Sequence, residues 1–169
     1  MINSLLYANC RYDGGIWHEL VEMVYAEEKI AEMLGIEKVV HIALSPAQLI
    51  EEGIPIGALS RVKKRAGLSD KQMAQTVGIS ERTLNRRTHD AATQADKPLS
   101  PSESDRLFRL AHIVAQAEEV LGEQIEAQRW LKQPNPALEG HTPLEMIKTE
   151  PGARQVEQLL NRIDHGIFA

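Results

Sequence analysis

The stretch DKQMAQTVGISERTLNRRTH, residues 70–89, constrains this 169-residue chain more than any other. Ala74 stands where two helices would cross, and only a small side chain permits close approach there. Gly78 follows four residues later, where a first helix must end in a left-handed backbone conformation that glycine adopts at no steric cost. Ile79 comes next, as a core plug. Ser80 is a good N-cap for a second helix, because its hydroxyl can accept from an orphan N–H of the first turn. Leu84 then points back between the helices, so that Met73, Val77, Ile79 and Leu84 share one inner face. The pattern predicts a helix-turn-helix.

The outer face of the second helix carries Glu81, Arg82, Asn85 and Arg86. These are residue types that read base edges in the DNA major groove: Arg on guanine, Asn on adenine, Glu on cytosine. Ser69, Lys71 and Arg87 are candidates for phosphates, which position a protein without specifying sequence, and Ser80 completes the candidate DNA-contact set. Arg87 stands three residues after Leu84, where an apolar residue is usual, and is expected to snorkel outward. The competing reading is an ordinary helical hairpin with a basic, solvated face. The amide and charges on the outer face, together with the well-placed Leu84, favour DNA.

Charge is distributed unevenly along the chain, whose formal net charge is −5. Residues 56–90 hold eight Lys/Arg against three Asp/Glu, whereas residues 1–55 hold three against nine and residues 91–169 eight against twelve. A basic island between two acidic segments suits modest, salt-sensitive DNA binding and leaves the acidic flanks another role. Cys10 is the sole cysteine. It excludes an internal disulfide and fits a reducing, cytoplasmic setting. No apolar run reaches membrane-spanning length, and no basic-then-apolar start marks a secretory signal.

The rest of the chain reads as helix, giving an all-α fold in three parts. Residues 1–44 form a partly helical N-terminal extension suited to dimerisation. Leu20, Val24, Ile30, Ala31 and Leu34 are spaced helically there, and Val39 to Leu44 are compatible with a short extended segment. Residues 45–99 form the helix-turn-helix bundle. Ser45-Pro46 with Gln48 opens its first helix as a capping box, and Gly53 closes it. Residues 56–66 form the next helix, with Leu59 and Val62 inward and Arg61, Lys63, Lys64 and Arg65 outward. Residues 89–99 are polar and aperiodic, and read as a loop. Residues 100–169 form a small helical module. Ser100-Pro101-Ser102-Glu103 launches its longest helix, 101–121, whose stripe of Leu107, Leu110, Ile113 or Val114, Ala117 and Leu121 serves a core or a dimer seam. Glu118, Glu119 and Glu123 read as a solvated face. A helix over about 123–133 stops before Pro134 and Pro136. Thr142-Pro143-Leu144-Glu145 starts a short helix, and a last helix runs over about 151–164 to Gly166.

Catalytic chemistry finds little footing. The six histidines, at 18, 41, 89, 112, 141 and 165, show no ligand spacing with one another or with Cys10, so neither a metal nor a cofactor is expected. No nucleophile elbow, phosphate-binding loop or dinucleotide fingerprint occurs. A non-enzymatic protein is expected.

The C-terminal block, from Trp130 onward, is the second informative region. Its last helix ends in Asp164-His165-Gly166 and is followed by Ile167-Phe168-Ala169, an apolar tail where termini are usually polar. The tail either folds back on its own core or anchors a partner. Three blocks in order carry a specific likeness: ALSRVKKRAGLSDKQMAQTVGISERTLNRR, LSPSESDRLFRLAHIVAQAEEVLG and RWLKQPNPALEGHTPLEMIKTEPGARQVEQLLNRIDHGIFA. Over roughly 45–169 the chain resembles the Xre/ParS/MbcA-type antitoxins of bacterial type II toxin–antitoxin systems.

That resemblance implies an Xre-like helix-turn-helix followed by a toxin-binding module. It also implies a cognate RES-domain toxin that consumes NAD, a C-terminal portion that blocks the toxin's active-site cleft, and repression of the chain's own operon as a dimer or as part of a larger toxin complex. A cleft built for NAD should be basic, and an acidic module complements it. Ile167 and Phe168 would supply an apolar anchor. The candidate toxin-contact residues are Arg154, Glu157, Arg162, Asp164, His165, Gly166, Ile167 and Phe168. Arg154 and Arg162, eight residues apart, either pair with acidic groups of the toxin or decorate the surface. The competing function is a stand-alone, phage-repressor-like regulator whose C-terminal half dimerises or senses a ligand.

Overall fold

The computed structural model describes residues 29–36 and 45–166. Residues 29–34 are helical (α1), followed by α2 (Pro46–Glu52), α3 (Gly57–Ala66), α4 (Asp70–Val77), α5 (Glu81–Gln94), α6 (Pro101–Leu121), α7 (Gln124–Trp130), a 3-10 turn (Pro136–Leu138), α8 (Pro143–Met146) and α9 (Glu150–Asp164). Among the described residues no strand occurs and no helix is long and apolar enough to cross a membrane. Leu20, Val24 and the segment Val39 to Leu44 lie outside the described residues.

Helix starts fall where short polar side chains can satisfy orphan N–H groups. The Ser45 hydroxyl accepts from the Gln48 amide at 3.3 Å while the Ser45 amide donates to Gln48 Oε1 at 3.0 Å. Thr142 and Glu145 make the same reciprocal pair at 3.2 and 2.9 Å. A further box, legible in the sequence but not read there, joins Ser69 and Gln72 at the start of α4.

The long helix α6 is the spine. It packs against α2, α3, α4, α7 and α9. The predicted stripe packs within this single chain: Leu107, Leu110, Ile113, Val114 and Ala117 are buried, Leu121 is partly buried against the same core, and Ala111 and Ala115 join them. Ser104, fully buried on the same helix, accepts from the Ile54 amide at 2.9 Å and ties the α2–α3 loop to the spine. The core continues through Leu59, Val62, Met73 and Leu84 into Leu131, Ile147, Val156 and Leu160.

Three expectations are corrected. Residues 89–94 are helix, not loop, because α5 continues to Gln94. Two alanines, Ala91 and Ala92, favour the helix, and Ala91 packs on the core, so the polar character of the segment reflects one solvated face. Only 95–99 is irregular, and it runs antiparallel to 54–57 through Ile56 N–H to the Lys97 carbonyl (2.8 Å) and Leu99 N–H to the Ile54 carbonyl (2.8 Å). Glu118 is not on a solvated face, and Arg65 does not point freely outward. They form a two-pronged ion pair, Nε to Oε1 and Nη2 to Oε2 at 2.7 Å each, with Glu118 only 6% exposed. A carboxylate needs such a partner to be buried at all, and the charge-assisted bonds from Glu118 hold the Arg65 guanidinium above its usual pKa.

Candidate functional sites

The helix-turn-helix is built by α4 and α5. Gly78 ends α4 with φ 76°, and its amide donates to the Ala74 carbonyl at 2.9 Å. A second constraint on Gly78 comes from outside the motif. Arg106 of α6 donates to the Val77 carbonyl at 3.1 Å, and its guanidinium lies so close over Gly78 that a Cβ there would stand 2.0 Å from Nη1. Met73, Ala74, Val77 and Leu84 are buried and Ile79 packs beside them, as the inner face requires.

The outward side chains of α5 are Glu81, Arg82, Asn85 and Arg86, all exposed. Because α5 runs to Gln94, the stripe continues through exposed His89 and Thr93, which the loop reading of 89–99 had removed from consideration. Ser80 accepts from the Thr83 amide at 3.1 Å, and Ser69 accepts from the Gln72 amide at 3.2 Å. Each hydroxyl thereby caps a helix, and that of Ser80 also lies 2.9 Å from the Thr83 hydroxyl. Lys71 is exposed on the first turn of α4. Arg87 does not snorkel outward as expected. It leans onto α6, with Nη1 2.9 Å from Glu103 Oε2. Burial pushes the Glu103 carboxyl up, but Arg87 together with the Ser100 hydroxyl and amide outweighs it, and the group sits below its ordinary value.

The second surface lies on α9 and its exit. Apolar Val156, Leu159 and Leu160 face the spine, which leaves Arg154, Arg162, Asp164, His165 and Gly166 exposed. Arg154 is engaged within its own helix by Glu150. Glu157 is half-buried, 3.4 Å from His112 Nδ1 of α6. Gln116 Nε2 donates to Asn161 Oδ1 at 2.7 Å one turn further along the same seam. His165 approaches the Asn161 carbonyl at 2.8 Å, and Gly166 turns with φ 66°. Ile167 and Phe168 lie outside the described residues. Thus the fold gathers Arg154, Glu157 and Arg162 on one helix, with Asp164, His165 and Gly166 at its exposed end. No group of His, Cys, Asp and Glu suited to a metal occurs among the described residues.

The two surfaces are joined by α7. Gln124 and Gln128 both donate to the Arg65 carbonyl, at 3.0 and 2.8 Å, and Lys132 donates to the Gly67 carbonyl at 2.6 Å. Side chains of the C-terminal module therefore cap the open C-terminus of α3, whose last carbonyls lack helical partners.

Comparison with known proteins bears on both halves. A family model described as "Antitoxin Xre-like helix-turn-helix domain" matches residues 45–112, and one described as "Antitoxin Xre/MbcA/ParS C-terminal toxin-binding domain" matches residues 116–166. The two meet inside α6. The chain is 39% identical over 117 residues to the Antitoxin Xre of Pseudomonas putida, covering 69% of each protein. It is 28% identical over 130 residues to the Prs ADP-ribosylating antitoxin of a Sphingobium species, covering 72% of this chain and 79% of that one. Its fold matches a chain of the crystal structure of the M. tuberculosis MbcT-MbcA toxin-antitoxin complex with a TM-score of 0.51 and 24% identity, over 68% of this chain and 96% of that one. With an antitoxin helix-turn-helix and a toxin-binding domain matched in order, and a relative of this identity and coverage, the chain belongs to the Xre/MbcA/ParS family of type II antitoxins.

Proposed function

We propose that this antitoxin neutralises a cognate RES-domain toxin by laying α9 and the tail beyond it into the toxin's NAD site, and that it represses its own operon through α5. The observation that carries the reading is the match of residues 116–166 to a toxin-binding domain, which ends on the exposed terminus of α9. Supporting arguments come from charge and from relatives. Residues 91–169 are net acidic, and a site that attracts a dinucleotide is cationic. One relative is named for ADP-ribosylation, a reaction in which NAD is the donor. Arg162, Asp164, His165 and Gly166 would form the polar approach, with Ile167 and Phe168 as the apolar anchor and Arg154 and Glu157 flanking it.

The decisive experiment is co-expression with the reading frame adjacent to its own, which this proposal expects to encode a RES-domain toxin. Removing residues 164–169 should abolish protection from the toxin while leaving operator binding intact in a gel shift. Full protection by the truncated chain would refute the tail as the inhibitory element.

A further inference from the structure

Beside the outward stripe of α5 lies a cleft of about 280 Å³ lined by Ile56, Arg86, Arg87, Asp90, Lys97 and Pro98. Two pieces of chain form it, and the fold clamps them together. α5 supplies both arginines and Asp90. The 95–99 strap supplies Lys97 and Pro98 and is pinned by the Ile56, Gly57 and Leu99 amides, with a bridge between Pro55 and Pro98. Lys97 is thereby fixed through its backbone while its side chain is exposed.

Three cations, Arg86, Arg87 and Lys97, and one carboxylate, Asp90, line this cleft. Arg87 Nη1 is buried and close to Glu103, yet it makes no aligned hydrogen bond among the described residues. The space is below the roughly 300–1,000 Å³ usual for organic ligands but ample for one phosphate group.

We propose that this cleft holds a backbone phosphate of bound DNA, gripped by Lys97 and Arg87 with Arg86 at its rim. The proposal rests on the reading of α5 as a DNA-binding helix. It assigns the phosphate contact to the strap beyond α5 as well as to α5 itself. Such a contact adds affinity and fixes register, and is indifferent to sequence.

The test is fluorescence anisotropy of the full chain with two duplexes, one from immediately upstream of its own reading frame and one scrambled, across a range of KCl. Lys97→Gln should reduce the slope of log affinity against log salt by about 0.9 on both duplexes, the value for one lost phosphate contact. Lys97→Arg should restore it, and Asp90→Asn should tighten binding to both. An unchanged slope in Lys97→Gln, or a loss confined to the chain's own duplex, would overturn the cleft while leaving the DNA reading standing. No binding by the unmodified chain at low salt would overturn both. Competition by pyrophosphate at constant ionic strength, with a matching shift of the Arg87 Nε NMR signal, would reassign the cleft to a free phosphate compound and overturn the DNA-backbone assignment.

Discussion

At the scale of single residues, positions that look like local punctuation are held by distant side chains. Gly78 was readable from sequence as the turn of the motif, because only glycine adopts φ 76° freely. Arg106, which lies over it, was not readable, since nothing local links residues 78 and 106. Gly78→Ala should cost about 2 kcal/mol, from the left-handed backbone together with loss of the Arg106 hydrogen bond. Urea unfolding of Gly78→Ala, Arg106→Ala and the double variant should show non-additive losses, because the two changes remove the same contact. Glu103 makes a pH-dependent prediction. Its folded pKa lies below the ordinary value of 4.5, so the ionised carboxylate stabilises the fold above that value and the contribution is lost as pH falls through the folded value. Glu103→Gln should therefore be less stable than the parent near pH 7, and the gap should close on acidification below the ordinary carboxylate value.

At the scale of elements, helices were legible because their starts are capped and their apolar faces are periodic. Ser45, Ser100 and Thr142 located three N-termini, and Gly53, Gly122 and Gly166 three ends. The sequence pattern ends α5 too early because 89–94 carries only two small apolar residues, Ala91 and Ala92, among polar ones. Glu118 was misread for the opposite reason: a charged residue within an acidic run resembles solvated surface until its partner is known. Its ion pair joins α3 to α6. Glu118→Ala leaves Arg65 unpaired and should destabilise by about 3 kcal/mol, the lower end for a buried pair because Arg65 is one-third exposed. Replacing both residues by leucine should recover most of that loss in chemical denaturation.

For the molecule as a whole, α6 is shared by the helix-turn-helix and the toxin-binding module, and α7 caps α3 across the same junction. The two proposed activities use different helices of this common body, α5 and α9, so their side chains can be changed independently. Arg82→Ala with Arg86→Ala should weaken operator binding by about 1–3 kcal/mol for each lost base contact. Protection from the toxin should be unchanged, as measured by growth of cells co-expressing both proteins. A parallel loss of both activities would mean that the arginines support the fold and not the DNA contact.

By itself, the sequence determined the all-α class, the helix-turn-helix, the stripe of α6 and the order of motifs that marks the antitoxin family. These are local or periodic signals, carried by caps, turns and helical spacing within a few residues. Only the tertiary structure decided that Glu118 is buried, that Arg87 leans on Glu103, and that Lys97 shares a cleft with α5. Each depends on residues between 7 and 53 positions apart, and no local spacing encodes which distant charge a given side chain will meet.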